Sequence, residues 1–247
     1  MIRYIDAHCH LDLFPDYQQT ARDAVASSTA VLTVTTLPRA WKQNREMARP
    51  FPNVIPALGL HPQLMGSHST EIDLFEEFLP EAHFVGEVGL DATARFYPYF
   101  EQQKQVFGRI LDACAACGDK ILSVHSVRTA KTVLDMIADS HILNSECKVI
   151  LHWFTGGMKE AQRGIELGCY FSINASMLEQ PQHHEVIRGI PLQRLLTESD
   201  GPFSQALEGQ QSPVTMPQVV EGLVGLRTEK AAEIQEAIVA NFEHLRT

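Results

Sequence analysis

Short apolar or β-branched runs alternate along this chain with longer stretches in which apolar residues recur at helical spacing. Such alternation is the pattern of βα units arranged around a parallel sheet. Eight runs read as strands, at residues 3–8, 30–35, 54–60, 83–89, 121–125, 148–152, 169–173 and 194–197. Among the intervening helices, residues 101–117 place Val106, Ile110, Leu111 and Cys114 on one face, residues 129–138 repeat the pattern, and residues 228–245 read as a closing helix.

Eight strand–helix units are what a closed (β/α)₈ TIM barrel requires, and such a barrel fills about 250 residues as one domain. The 247 residues therefore predict one barrel domain over 1–247, with no linker anywhere. The longest irregular piece, residues 203–217 with Gly209, Ser212, Pro213 and Pro217, reads as a loop over the mouth of the eighth strand.

Composition narrows the picture. No apolar run approaches the roughly 20 residues of a membrane span. Met1 leads directly into an apolar run and Asp6 without the features of a secretory signal, so the expected location is cytoplasmic. Five scattered cysteines fit reduced thiols, and the Cys114–Cys117 pair, lacking a second CxxC, reads as helix packing rather than redox or zinc chemistry. Thirty acids against 20 bases give a net charge of −10. That balance excludes a protein that coats nucleic acid with lysines, but not an enzyme that draws phosphates to bound metal ions.

The chemistry lies at the strand ends. In DAHCH, His8 and His10 are two apart on a strand and point the same way, as two ligands of one metal must. Polar residues recur at the corresponding tips of later strands, where barrel enzymes build their sites: Glu87, His125, His152 and Asp200. Six such residues supply ligands for two divalent ions, Zn²⁺, Mg²⁺ or Mn²⁺, with Glu87 placed to bridge them. Asp200 is also the expected proton acceptor for an attacking water, which makes Asp200 and Glu87 the candidate catalytic carboxylates. Glu198 and Asp6 are expected to brace ligands from behind, and Cys9 to pack on the opposite face. His61 in GLHP reads either as a substrate contact or as turn structure. Arg95 and Arg128 are candidate phosphate contacts, and His183 and His184 are expected on the surface.

Taken in order, DAHCHLD, GLHP, GEVGLD, the Gln103 and Phe107 pair of QQKQVF, LSVHS, LHWFTG and LLTESDGP resemble the TatD family of metal-dependent deoxyribonucleases over nearly the whole chain. The resemblance implies an amidohydrolase-like barrel and a two-metal site formed by His8, His10, Glu87, His125, His152 and Asp200. It also implies hydrolysis of DNA, exonucleolytic from the 3′ end of single strands. VTTLPRAWKQ, ALGLHPQL, WFTG, GCYFSIN and TESDGPF are similar to the QatD branch, the TatD-like component of the Qat anti-phage defence system, which implies work beside other Qat proteins. Three positions depart from the family pattern: Gln63 replaces the second histidine of GxHPH, Arg128 stands one residue late after His125, and Ser199 replaces a threonine. Two rival functions are a C–N hydrolase of the amidohydrolase type and a metal-stabilised, non-catalytic component of a defence complex. Glu87, where many binuclear C–N hydrolases carry a modified lysine, speaks against the first, and the intact ligand set against the second.

Overall fold

Strands buried on both faces read as continuous apolar runs, because helices cover one side and barrel side chains fill the other. In the computed structural model, which describes residues 1–206 and 209–246, all eight positions of the strand Phe84–Asp91 are buried. The strands are β1 (Tyr4–Cys9), β2 (Thr29–Thr33), β3 (Val54–Leu58), β4 (Phe84–Asp91), β5 (Ile121–Val127), β6 (Lys148–Leu151), β7 (Tyr170–Ile173) and β8 (Leu195–Thr197). Each pairs in parallel with the next, giving the sheet order β1 to β8. Polar bonds close the ring between β8 and β1: Thr197 Oγ1 donates to Ile5 O, and the Asp200 backbone N donates to His8 O at 2.8 Å. The result is a (β/α)₈ barrel.

Strand ends differ from the sequence expectation in an informative way. β4 and β5 run two residues further than expected, because Gly89, Leu90 and Asp91 pair with His125, Ser126 and Val127. A polar residue at 87 or 125 thus lies within a strand rather than at its end. β2 and β3 stop early, at Thr33 and Leu58, where the ladder gives way to close contacts around Glu87. The Glu87 N–H donates to Thr35 O at 3.0 Å, and Leu60 N–H donates to Glu87 O at 3.0 Å. Gly59 permits this approach, since a Cβ there would lie 1.7 Å from Thr35 O and 2.6 Å from Glu87 N. Gly89 is required twice over: its φ is +134°, and a Cβ would lie 2.1 Å from His125 O.

Helices wrap the barrel as their apolar faces demand. The helix Phe100–Cys117 buries Val106, Phe107, Ile110, Leu111 and Cys114 and ends at Gly118, whose φ of 90° is left-handed. Truncating the fully buried Phe107 to alanine would cost about 3–5 kcal/mol. The helix Ala231–Arg246 buries Ile234, Ile238, Phe242 and Leu245, and its Asn241 amide donates to Leu192 O and Leu195 O, both at 2.8 Å. Cys114 is buried and Cys117 is exposed at its helix end. Residues 203–217 are more ordered than a simple loop: Gln205–Ala206 pairs antiparallel with Gly209–Gln210, and Pro217 sits in the first turn of the helix Met216–Leu226. Leu207 and Glu208 of that expected loop lie outside the described residues. Among the described residues no helix is long and apolar enough to cross a membrane.

Candidate metal centre and active-site cavity

Alternation along β1 sends Asp6 and His8 inward, and His10, the residue just after the strand, joins them, while Cys9 faces the outer layer and packs with Leu11, Ala21 and Val31. The barrel then sets five imidazoles around the carboxylate of Glu87. Glu87 Oε1 lies 2.6 Å from His125 Nδ1 and 2.8 Å from His152 Nε2. Its other oxygen, Oε2, lies 3.1 Å from His10 Nε2, 3.1 Å from His61 Nε2 and 3.4 Å from His8 Nε2. Asp200 Oδ1 faces the same two histidines, 3.5 Å from His8 Nε2 and 3.7 Å from His10 Nε2. The six expected ligands are thus assembled from β1 and the residue after it, β4, β5, the residue after β6 and the segment after β8, with Glu87 at their centre.

Burial and mutual charge set the protonation tendencies. Burial alone would raise the Glu87 carboxyl, but His61, His152, His8 and His10 outweigh it and hold it well below the usual carboxylate range. Burial, together with the neighbouring His152, pushes the His8 imidazole well down. Its ring stacks on that of His152 with centroids 3.7 Å apart. His152 goes the other way, because Glu87 and Glu198 outweigh its burial. Burial pushes Asp200 up to about 7 against the pull of His152 and His10.

The donor set fits a divalent cation. Among the described residues, three groups bring candidate ligand atoms within 4.8 Å of one another: His8, His10 and Asp200; His8, His152 and Glu198; and His61, Glu87 and His125. His8 Nε2 is buried and makes no hydrogen bond among the described residues, while it faces two carboxylate oxygens. Imidazole with carboxylate is the ligand chemistry of zinc and related ions. His61 stands apart from the others. Its Nδ1 accepts the Gln63 backbone N–H at 3.1 Å, so the neutral ring carries its proton on Nε2 and donates it toward Glu87 rather than offering a lone pair.

Behind the candidate ligands a second layer of hydrogen bonds fixes the orientation of these side chains. His8 Nδ1 lies 2.7 Å from Ser123 Oγ. Glu198, fully buried, accepts from Trp153 N at 2.9 Å, from Asn174 Nδ2 at 3.1 Å and from Ser172 Oγ. Asp6 touches no ligand ring; it accepts from Ser199 N at 2.8 Å and Ser199 Oγ at 2.6 Å, and so holds the residue before Asp200. Sequence reasoning missed Asp91, although GEVGLD contains it. Asp91 Oδ2 accepts from His125 Nε2 at 3.1 Å and Gln63 Nε2 at 2.8 Å, and Oδ1 accepts from Thr93 N at 2.8 Å. Gln103 clamps the same strand end, its Oε1 accepting from Asp91 N at 2.7 Å and its Nε2 donating to Asp91 O at 3.0 Å. The departure at Gln63 therefore serves the His125 carboxylate partner.

Above the cluster opens a cavity of about 680 Å³, lined by candidate ligands and by Thr36, His61, Gln63, Trp153, Thr155, Gln180, His183 and Phe203 among others. His61 thus stands at the cavity wall. His183 and His184, expected on the surface, are half-buried: His183 lines this cavity, and His184 Nε2 donates to Leu178 O at 2.7 Å. Neither Arg95 nor Arg128 is brought to the wall. Arg95 is exposed, with its guanidinium over the Phe96 ring, and Arg128 leaves β5 exposed with φ 58°. Arg128 directly follows the two residues by which β5 extends beyond His125. Phe203, Gln180 and His183 come from loops and a helix start without periodic signal, so only their placement reveals them.

Comparison with known proteins agrees with this geometry. Residues 5–246 match the family model described as TatD related DNase. The uncharacterized metal-dependent hydrolase YjjV of Escherichia coli strain K12 is 29% identical over 255 residues, covering 97% of this chain and 96% of that protein. The human deoxyribonuclease TATDN3 is 25% identical over 218 residues, covering 80% of this chain and 77% of its own. The crystal structure of YjjV superposes with a TM-score of 0.89 at 25% identity, covering 98% of this chain and 97% of that one.

Proposed function

We propose, from the premise that this chain belongs to the TatD related DNase family of metal-dependent hydrolases, that it hydrolyses phosphodiester bonds of DNA, removing nucleotides from the 3′ end of single strands. The observation that carries the reading is Glu87, held between two sets of histidines and beside Asp200 at the floor of the cavity. Two divalent ions held by His8, His10, Glu87, His125, His152 and Asp200 would polarise a phosphodiester oxygen and acidify the attacking water. Asp200 accepts the proton of that water. His61, with its Nδ1 occupied by Gln63 N–H, turns its Nε2–H to a non-bridging phosphate oxygen. Glu198 and Asp6 keep Trp153 and Ser199, and with them His152 and Asp200, in place during the reaction.

The C–N hydrolase alternative meets a glutamate, Glu87, on β4, which carries no lysine. Incubation of the purified protein with end-labelled single-stranded DNA and Mg²⁺ or Mn²⁺ tests the nuclease reading: shortening from the 3′ end is expected, with loss of activity in Glu87→Ala. Absence of cleavage, or cleavage unchanged in Glu87→Ala, refutes it. The likeness of VTTLPRAWKQ and TESDGPF to the QatD branch supports a role in anti-phage defence beside other Qat proteins. There the expected result is that Glu87→Ala, placed in an otherwise intact Qat system, abolishes protection of the host against phage.

A further inference from the structure

The cavity wall is unusual for a protein that must hold a polyanion: among its described residues no lysine or arginine lines it. Beyond the ligand cluster it offers hydroxyls, amides and aromatic rings. Phe203 is 61% exposed, yet its ring lies edge-on to His10 with centroids 5.2 Å apart. A backbone bond from Phe203 N to Asp200 O at 2.9 Å fixes the turn that presents it. Trp153, next to the ligand His152, lines the same cavity. Beyond its contact with the ligand candidate His10, the largely exposed phenyl ring is open to the cavity. A nucleobase offers it a flat apolar face, and stacking of this kind tolerates any base.

We propose that Phe203 is the stacking platform for the base of the nucleotide adjoining the scissile phosphodiester, with Trp153 completing the wall of that slot. The inference rests on the nuclease reading and deepens it. The phosphate is drawn to the ligand cluster, and the base one sugar away is held by Phe203, so grip on the substrate depends on an aromatic face where no lysine or arginine lines the wall. Bases inside a duplex already have both faces stacked, and only an unpaired end swings a base onto Phe203 without first breaking pairs. Phe203 is therefore the residue that sets the preference for single-stranded ends.

Steady-state cleavage in Mn²⁺ of two end-labelled single strands separates the possibilities: one strand is intact, and the other carries abasic analogues in place of the terminal nucleotides at the cleaved end. On the intact strand Phe203→Ala is expected to raise KM by about 5- to 150-fold, the range of a lost base–aromatic stack, with a smaller change in kcat. Phe203→Trp, which keeps a stacking face, is expected to retain a near-wild-type KM. On the abasic strand the wild type shows the raised KM, and Phe203→Ala adds nothing further. Equal losses from Phe203→Ala on both strands, or a wild type indifferent to the missing bases, overturn the stacking assignment while leaving the nuclease reading intact. A wild type that cleaves neither strand overturns the nuclease reading, and this inference with it.

Discussion

Asp91→Asn probes the layer behind the candidate metal ligands without removing any of them. The Asp91 carboxylate receives three donors: Thr93 N at 2.8 Å on Oδ1, and Gln63 Nε2 at 2.8 Å and His125 Nε2 at 3.1 Å on Oδ2. Asparagine keeps an oxygen for Thr93 but turns an amide N–H₂ toward the other two. Gln63 can reverse its own amide and accept. His125 cannot reverse, so it must give up the proton on Nε2 and carry it on Nδ1, the nitrogen 2.6 Å from Glu87 Oε1. A protonated Nδ1 has no lone pair for a metal. Loss of such an orienting partner weakens metal binding by about 10- to 100-fold, or about 1.4–2.7 kcal/mol. Fold stability should fall by no more than about 1 kcal/mol, since every donor still finds an acceptor. Competition for Zn²⁺ against a chromophoric chelator gives the affinity, and urea unfolding of the EDTA-treated protein gives the stability. Metal affinity within twofold of the wild type, accompanied by a large loss of stability, would refute the reasoning and make Asp91 a brace of the fold alone.

Three further outcomes are expected. Glu198→Ala strands the half-buried Trp153 N–H and the buried Asn174 amide and should destabilise by at least about 2 kcal/mol, whereas Glu198→Gln, which keeps an oxygen for both, should cost under about 1 kcal/mol; equal urea midpoints for the two variants would contradict this. With Ellman's reagent in native buffer, Cys117 alone should react rapidly, because Cys9, Cys114, Cys147 and Cys169 are buried and burial pushes Cys169 up to about 12; the other four should appear only on unfolding. Burial, with Asp12 and Cys9 nearby, raises the Tyr17 phenol above its usual value. A folded-state value above the unfolded one means stability that is present at neutral pH and lost as pH rises past about 10, where the unfolded tyrosine ionises. Tyr17→Phe should therefore flatten the fall in melting temperature between pH 9 and 11, and an unchanged slope would count against this account.

What the sequence by itself determined is whatever depends on local period and residue type. Alternation of apolar runs announced the eight strands and the barrel, and the two-residue spacing of His8 and His10 put both on one face. The recurrence of Glu87, His125, His152 and Asp200 towards the ends of apolar runs marked the side chains that gather at one rim, because a parallel barrel places all its strand ends there. Tertiary structure decided the partnerships between residues far apart in the chain. Asp91 meets His125 and Gln63 only because β3, β4 and β5 lie side by side, and Glu198 meets Trp153 only across β6, β7 and β8. Periodicity is silent on such pairs, since hydrogen-bonded distances between strands depend on register, and register is set by the closed ring. The same reason explains Arg128 and Phe203. The arginine follows a two-residue extension of β5 and does not line the cavity, while a turn bonded to Asp200 O brought an otherwise unremarkable phenylalanine to its mouth.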